Sequence, residues 1–479
     1  MKNKKLKIIF ALVCVLLTIP SIIYIISNKT VLGFNIYYNF FITEKINKIV
    51  STMIYIIIFI MISILYLKII KEKDIFKDVN ECFKYVLIIS IIFAFMLPWT
   101  SSDIFYYMGV GELDAVYKQN PYYITMKKYY EQNPQSIEND SIFEQGVNNF
   151  WAGTTVVYGP IAQTIFKICA LISFRNIDIC ILIFKLINVI VHIANCYLIY
   201  KITRRKKFSI IYGLNPFILL EFIGMVHNDI IVVFFVLLSL YYLLKKKNIY
   251  LSILFLALAT GIKYFTVLLL PIIILYHFRK EDKIGIRFLK CIEYGIMFFI
   301  IVAIFYIPYF KNINIILAMS PQGERYSKSI YVGLSLLSPS FMLGVRCIMI
   351  MLFSVVYIIS CLELLFNKQN KITNMLRKYN IALILFLLIL SNSQQWYLIW
   401  LFATIMWQKP KMIKNIIGIT LAIEIANSIY MFKSEWYMYD VIFIGTTVWI
   451  VLLWDIFINK KYLKDRSTQI GKISINWWK

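Results

Sequence analysis

The chain has 479 residues, of which 60% are hydrophobic, and its mean hydropathy is +0.73. Many of its apolar runs approach the ~20 residues that a helix needs to cross a bilayer, so the composition excludes a soluble fold and predicts an all-α, polytopic integral membrane protein. Lysine and arginine outnumber aspartate and glutamate by 50 to 25, and basic loops at one membrane face explain this excess better than a nucleic-acid partner does.

The first apolar segment, residues 8–27, has a basic start and ends without the small-residue cleavage site of a signal peptide. We interpret it as a retained anchor whose N-terminus lies in the cytoplasm. Further basic runs flank later apolar segments and are expected on the same face of a multi-pass protein of the cell membrane. They are residues 201–207, 245–247, 279–283, 409–414 and 460–461. Frequent isoleucine, lysine, asparagine and tyrosine favour a bacterial source.

The apolar runs predict 12 to 14 transmembrane helices in a single domain that covers residues 1–479. The candidate spans are 8–27, 50–70, 85–98, 157–174, 177–200, 208–223, 228–244, 249–260, 264–277, 286–309, 341–366, 380–394, 396–408, 412–432 and 439–458. Several are too short to cross alone. The topology places two long loops outside, 99–156 and 310–340, and the first holds three lysines against seven acidic residues.

The alternation of sides fails at residues 201–207, which should be cytoplasmic but follow the external loop by two apparent spans. Either 157–174 is a partial or re-entrant helix, or one helix assignment is wrong. The aromatic composition of the first loop favours amphipathic helices that lie on the membrane surface. Function is expected to concentrate in the two external loops.

Asp103 comes directly after the apolar run 85–98, within Ser101-Ser102-Asp103-Ile104-Phe105-Tyr106. One interpretation is a cap for a short helix that begins near Ile104. The other is a general base, because a carboxylate at the dry edge of a lipid-facing cavity can take a proton from an acceptor hydroxyl. The two interpretations are compatible.

Farther along the same loop, Asn-Pro and Gly-Pro pairs mark turns. Between and beside them lie further candidate site residues, for which an interfacial aromatic belt and simple turn formation are the alternative explanations. They are Tyr106, Glu112, Asp114, Asn120, Tyr122 and Tyr158. Sugar stacking on the rings is the functional interpretation.

His227, Asn228 and Asp229 stand between two apolar runs at an expected external turn. They either cap the second helix or bind hydroxyls or a phosphate. Metal binding is disfavoured, because the chain has three histidines, without HxxH spacing, and none of its eight cysteines lies in a CxxC pair. No cofactor is therefore expected.

Lys263 interrupts an apolar stretch after Gly261, and charges within spans are functional candidates by default. If the glycine ends a half-helix, Lys263 can meet an anionic phosphate, with Tyr264 beside it; snorkelling to a cytoplasmic end is the alternative. Glu221 is a possible partner for the lysine. Lys185, Asn188 and His192 recur at helical spacing and predict a polar stripe that faces the bundle.

Arg325, in the second external loop, is a candidate phosphate contact because a guanidinium matches phosphate geometry. Gln395, Trp396 and Tyr397 interrupt a late apolar run at an external turn. The alternative interpretation of this turn is an anchor at the membrane interface.

The order of these motifs resembles the bacterial polyprenyl-phosphate-sugar-dependent glycosyltransferases of the GT-C superfamily, especially the mannosyltransferase-like branch. The resemblance covers roughly residues 85–410. The matching elements are Ser102-Asp103-Ile104-Phe105-Tyr106, Asn120-Pro121-Tyr122, Tyr158-Gly159-Pro160, Asn215-Pro216, His227-Asn228-Asp229, Gly261-Ile262-Lys263-Tyr264 and Trp396-Tyr397.

The resemblance implies an enzyme that moves a hexose, with mannose favoured, from a polyprenyl phosphate to an acceptor hydroxyl on the external face. Asp103 would be the base of an inverting, metal-independent displacement, and Lys263, Arg325 and His227 would face the leaving phosphate. The acceptor is an envelope glycan, a glycolipid or a protein. Two spans precede the helix that leads to Asp103, which departs from the simplest members, and Glu112 and Asp114 compete for the role of second acid.

Three other functions remain open at this point. A flippase or transporter of lipid-linked sugars would use similar intramembrane charges, but inverted repeats, which such proteins often show, are not evident. A glycan ligase would favour a large external loop late in the chain, whereas the largest loop here is early. A non-catalytic membrane scaffold would not explain the polar residues that interrupt the spans.

Overall fold

The computed structural model describes residues 2–28, 45–98, 100–137, 140–310, 329–367 and 371–432. Within these ranges every regular element is a helix, and no β-strand occurs. This confirms the predicted all-α class. Helices satisfy their own backbone hydrogen bonds, which an apolar sequence in lipid requires.

The helices are numbered here in chain order. The first nine are α1 (Lys2–Asn28), α2 (Lys45–Lys71), α3 (Val79–Ala94), α4 (Asp103–Ala115), α5 (Met126–Gln132), α6 (Ser141–Val147), α7 (Pro160–Ile172), α8 (Ile177–Thr203) and α9 (Lys206–Gly213). The others are α10 (Pro216–Gly224), α11 (Asp229–Tyr241), α12 (Ile249–Thr260), α13 (Leu270–His277), α14 (Ile284–Tyr306), α15 (Ile330–Leu337), α16 (Pro339–Phe366), α17 (Ile372–Ile389) and α18 (Pro410–Phe432).

Six helices of the described residues are long and apolar enough to cross a membrane, and α9 with α10, bent by 50°, forms a seventh candidate. Long straight helices therefore supply only part of the 12 to 14 predicted spans. The predicted span 264–277 is divided into a 3-10 helix, Tyr264–Leu269, and α13. The predicted span 396–408 is a 3-10 helix, Gln395–Trp407.

The bundle has two chemically different ends. At the basic end, Arg205, Lys245 and Arg377 line a cavity of about 270 Å³, and Lys206 donates to the carbonyl of Phe76. The opposite end, called the loop end, holds a larger cavity. Two shorter segments also connect the two ends: the segment Tyr264–His277 and the 3-10 helix Gln395–Trp407 each have residues that line both cavities.

The chain leaves the bundle after α3 and re-enters it at α8, and both points lie at the loop end. Near the start of α3, Phe83 packs against Tyr200 near the end of α8, with ring centroids 6.1 Å apart. Just after α3, the carbonyl of Met96 accepts a hydrogen bond from Lys185 near the start of α8, at 2.6 Å. The two helices are thus antiparallel, so the chain has returned to the loop end where α8 begins. The predicted span 157–174 is the partial helix α7, which explains why the basic run 201–207 lies at the basic end.

The polar stripe on α8 faces the bundle, as predicted. Lys185 donates to the carbonyls of Ile223 and Gly224, and Asn188 donates to those of Phe222 and His227. These carbonyls belong to the π-helical end of α10 and the turn after it, where regular i to i−4 bonds are interrupted. The stripe therefore satisfies irregular backbone inside an apolar bundle and fixes the turn that carries His227.

Candidate active site

The loop-end cavity has a volume of about 570 Å³. Its charged lining side chains are Asp103, Lys263 and Arg346. Aromatic side chains form much of the remaining wall: Tyr106, Phe150, Trp151, Tyr158, Tyr264, Phe265, Phe386, Trp396, Tyr397 and Trp400. A carboxylate and two cations thus share a pocket whose walls suit a sugar or an apolar chain.

Asp103 is the first residue of α4, and its side chain is 13% exposed at the cavity. The residue before it, Ser102, occupies the N-cap position without a side-chain cap bond. The Asp103 carboxylate receives the hydroxyl of Tyr107 at 3.4 Å and lies 3.4 Å from Nδ1 of His227. The carboxylate is therefore presented to the cavity and to His227, and the helix starts at Asp103 itself and not at Ile104.

His227 is completely buried between two carboxylates. Its Nδ1 faces Asp103, and its Nε2 lies 3.1 Å from Oε2 of Glu221. The indole of Trp396 stacks on the imidazole, with ring centroids 3.7 Å apart. Burial disfavours the imidazolium, but Asp103 and Glu221 outweigh it and raise the pKa of His227 to about 9. The two carboxylates therefore favour the imidazolium form of the ring.

Lys263 meets Asp229 and not Glu221, the partner considered from the sequence. Its ammonium lies 2.7 Å from Oδ1 of Asp229, which also accepts the indole N–H of Trp400 at 2.6 Å. The ammonium stands 4.5 Å from the centroid of the Tyr397 ring, in cation–π range. Lys263 is 13% exposed and lines the cavity, so it keeps a face toward a ligand.

Two glycines allow the loops that carry Tyr158 and Lys263 to touch. A Cβ on Gly159 would lie 2.4 Å from the carbonyl oxygen of Gly261, which is closer than real contacts allow. That same carbonyl accepts the N–H of Ile161 at 2.8 Å. The start of α7 is therefore tied to the end of α12, and the tie sets the distance between two cavity walls.

Arg346, near the start of α16, is a site residue that the sequence reasoning did not select. Its guanidinium lies 5.9 Å from the ring centroid of Tyr331, and it lines the cavity. The signal was available, since Arg346 is a charge inside the candidate span 341–366. Arg325, the guanidinium that the sequence favoured, lies outside the described residues.

The predicted loop-end residues divide into two groups. Tyr106, Tyr158, Tyr264, Trp396 and Tyr397 line the cavity. Burial raises the pKa of the Tyr158 phenol well above its ordinary range, so this ring stays neutral.

The second group lies behind the wall. Asn120 accepts the N–H of Tyr122 and donates to the carbonyl of Tyr309, so it builds a turn. Tyr122 is fully buried and donates to the carbonyl of Tyr158 at 2.9 Å. Gln395 donates to Glu221 at 3.2 Å. These residues support cavity residues without themselves lining the pocket.

The turn His227-Asn228-Asp229 also lies behind the wall. All three side chains are at most 4% exposed, whereas the sequence placed them at an external turn with direct access to hydroxyls or phosphate. His227 and Asp229 instead contact Asp103 and Lys263, which do line the cavity. The structure therefore places the three side chains behind the cavity wall, and not at the exposed turn that the sequence predicted.

The two candidates for a second acid both interact with other side chains of the protein. Asp114 binds Lys167 at 2.7 Å and accepts the hydroxyl of Tyr309 at 3.0 Å. Glu112 is fully buried, with Arg175 3.8 Å away. Burial raises the pKa of Glu112 to about 8, the nearby Asp140 adds to the rise, and Arg175 opposes it. Among the acidic residues that the structure describes, Asp103 lines the cavity.

Among the described residues, no group of three histidine, cysteine, aspartate or glutamate side chains is arranged to hold a metal ion. The eight cysteines are free thiols.

Comparison with known protein families matches more than half of the chain. The model of the MptA_B family, described as alpha-(1->6)-mannopyranosyltransferase, N-terminal domain, matches residues 11–279. This region contains Asp103, His227 and Lys263, while Arg346 and Trp396 come later in the chain. No curated protein and no solved structure matches the chain.

Proposed function

The chain belongs to the MptA_B family of alpha-(1->6)-mannopyranosyltransferases, and from this premise we propose that it transfers a mannosyl group from a polyprenyl phosphate to an acceptor hydroxyl at the loop end. Family membership makes the protein a membrane glycosyltransferase. The lipid-phosphate donor and the external acceptor are the parts that we add.

One observation carries the proposal: Asp103 and Lys263 line the same aromatic cavity at one end of an apolar helix bundle. A glycosyl transfer to a hydroxyl needs a proton acceptor and a place for a departing anion. The volume of about 570 Å³ is within the range of roughly 300–1,000 Å³ typical of small-molecule sites. Both chemical needs and the space for a sugar therefore coincide.

In the proposed reaction, the acceptor oxygen attacks the anomeric carbon while Asp103 takes the hydroxyl proton. The bond between that carbon and the phosphate oxygen breaks, and the lipid phosphate leaves with the electron pair. Lys263 and Arg346 favour this step because positive charge stabilises the anion as it develops. A single displacement inverts the anomeric centre. The aromatic walls offer faces for the sugar ring and for the first units of the polyprenyl chain.

We place the basic end in the cytoplasm, because lysine and arginine near span ends are enriched on that side. The N-terminus of α1 lies at this end, where Lys7 pairs with Glu81. The cavity then opens on the external side of a cell membrane, where an envelope glycan, a glycolipid or a protein can supply the hydroxyl. A bacterial membrane suits a polyprenyl carrier.

The test uses purified protein in lipid vesicles, radiolabelled polyprenyl-phosphate mannose and envelope acceptors. Wild type should move label to the acceptor and release the carrier, and Asp103→Asn should not. Glu112→Gln is the matched control, since it changes an acid of the same helix that faces away from the cavity. Movement of labelled lipid across the bilayer without any transfer would replace the proposal with a flippase. Equal transfer by wild type and Asp103→Asn would remove Asp103 from the role of base.

A further inference from the structure

Resting on the function proposed above, we infer that His227 and Glu221 form a positioning pair that holds Asp103 oriented and ionised as the base. Neither residue lines the cavity among the described residues, so neither reaches the substrate. Their effect on the reaction passes through Asp103.

The geometry forms a line of three charged groups from the cavity into the bundle. Asp103 Oδ2 lies 3.4 Å from His227 Nδ1, and His227 Nε2 lies 3.1 Å from Glu221 Oε2. Exposure falls from 13% at Asp103 to 0% at His227 and Glu221. Only the first member of the line can meet a ligand.

Both the imidazole and the backbone of His227 are held in place. Trp396 stacks on the ring, and the backbone N–H of His227 donates to the backbone carbonyl of Glu221 at 3.2 Å. The residue before it, Val226, has a φ of 66°, a left-handed conformation that β-branched residues rarely adopt. Such backbone is retained where the surrounding structure demands it, commonly at functional sites. Here it turns the His227 ring toward both carboxylates.

The charges explain why this arrangement serves a base. A carboxylate at the edge of a dry cavity tends to take up a proton, and an adjacent cation opposes this by favouring the ionised form. A cation paired with Asp103 alone would also weaken Asp103 as a proton acceptor. Because Glu221 shares the imidazolium, the attraction of that cation is divided between two carboxylates.

Other titratable groups surround the pair. Tyr107 donates to Asp103 from α4, and Glu424 of α18 interacts with Glu221. Glu424 therefore stands beside Glu221 on the side away from the cavity line formed by Asp103 and His227. Tyr55 of α2 interacts electrostatically with both glutamates. Asp229, two residues after His227, is neutralised by Lys263.

His227 and Glu221 neither form nor break a covalent bond in the reaction. The hydroxyl proton moves to Asp103, the new glycosidic bond forms as the bond to phosphate breaks, and the imidazolium keeps both of its protons. Asp103 then returns its proton to water or to the released phosphate monoester at the cavity. His227 and Glu221 are thus positioning residues.

The kinetic test compares the pH profile of transfer in wild type, His227→Gln and Glu221→Gln. Removing the imidazolium should move the acidic limb of kcat/KM upward by about one pH unit or more, with a smaller change in the KM for the donor. Glu221→Gln strengthens the hold of His227 on Asp103, so the limb should move down. His192→Gln is the matched control, because that buried histidine bonds the Gly213 carbonyl and should leave the limb in place.

A second measurement does not depend on activity. The chain has three histidines, so NMR of histidine-labelled protein, assigned with His227→Gln, reports the ionisation of this ring. An imidazolium that persists at pH 8 in wild type and is lost at lower pH in both Asp103→Asn and Glu221→Gln is expected. A neutral ring at pH 7 would overturn the inference even if sugar transfer is observed. Conversely, an imidazolium in a protein without transfer activity would leave the charged line intact and reject only the reaction.

Discussion

The two ends of α4 hold three acids in sharply different surroundings. Asp103, at the first position, is 13% exposed at a cavity and faces His227. Glu112 and Asp114, in the last turn, are buried, and Asp114 is bound by Lys167 and Tyr309. The same side-chain chemistry thus serves a cavity at one end and internal packing at the other.

The difference comes from what packs against each end. The start of α4 meets the turn after α10, which supplies His227, and leaves one side open to the cavity. The end of α4 packs on α7, which supplies Lys167 and Gln163. Proximity in sequence therefore says little about function here, and access to the cavity separates a candidate base from structural acids.

The largest expected effect is the loss of activity in Asp103→Asn. Removing a general base typically lowers the rate by about 100- to 10,000-fold, and thermal unfolding should remain close to wild type. Glu112→Gln, at the other end of α4, should retain most of the transfer activity at neutral pH. Comparable losses in both variants, measured as turnover per folded molecule, would erase the distinction between the two ends.

Lys263→Gln should lower turnover by about 100-fold or more, because a preorganised charge at the leaving group is lost. It should also destabilise the protein by about 3–5 kcal/mol, since Asp229 would be left buried and unpaired. The double variant with Asp229→Asn separates the two effects. Thermal denaturation should show recovered stability while the transfer assay stays low; recovery of both would make Lys263 purely structural.

Gly159→Ala tests whether the contact between the two loops sets the cavity. Its Cβ would lie 2.4 Å from the Gly261 carbonyl oxygen, so the loops must separate, at a cost of about 1–3 kcal/mol. Transfer activity should fall with it. Gly153→Ala is the control, because a Cβ there meets nothing within 4 Å. If the two variants unfold at the same temperature and transfer equally, the contact is unimportant.

Asp114→Asn should act on stability. It weakens the hydrogen bonds to Tyr309 and Gln163, which should lower the free energy of unfolding by about 1–2 kcal/mol. Loss of the ion pair with Lys167 adds little, because that lysine is 36% exposed. Turnover of the folded fraction should be unchanged. A selective loss of turnover would return Asp114 to the position of second acid.

The smallest effect is a pH dependence of stability at Glu112. Its pKa, raised to about 8 by burial, exceeds that of an unfolded glutamate, so its stabilising contribution is complete in acid and is lost as the pH rises through about 8. Glu112→Gln cannot ionise and should flatten this decline. Unfolding temperatures measured between pH 6 and 9 test it; parallel curves for both proteins would contradict the prediction.

The sequence was enough to predict the fold class and to select several of the residues that line the cavity. Apolar runs, basic flanks and charges inside spans are local properties, and they were enough to predict an all-α membrane protein and to select Asp103 and Lys263. The same rule would have selected Arg346 had it been applied throughout. The resemblance to mannosyltransferases agrees with the family match over residues 11–279.

The sequence by itself determined which segments bury apolar surface. It also determined which charged residues interrupt those segments, where a charge is too costly to occur by chance. The tertiary structure alone decided the partners: His227 with Asp103 and Glu221, and Lys263 with Asp229. It also decided that α7 stays at the loop end. Hydrophobicity is a sum over a segment and can be read along the chain, whereas a charge pair depends on which segments pack together, and that choice is made by the whole bundle.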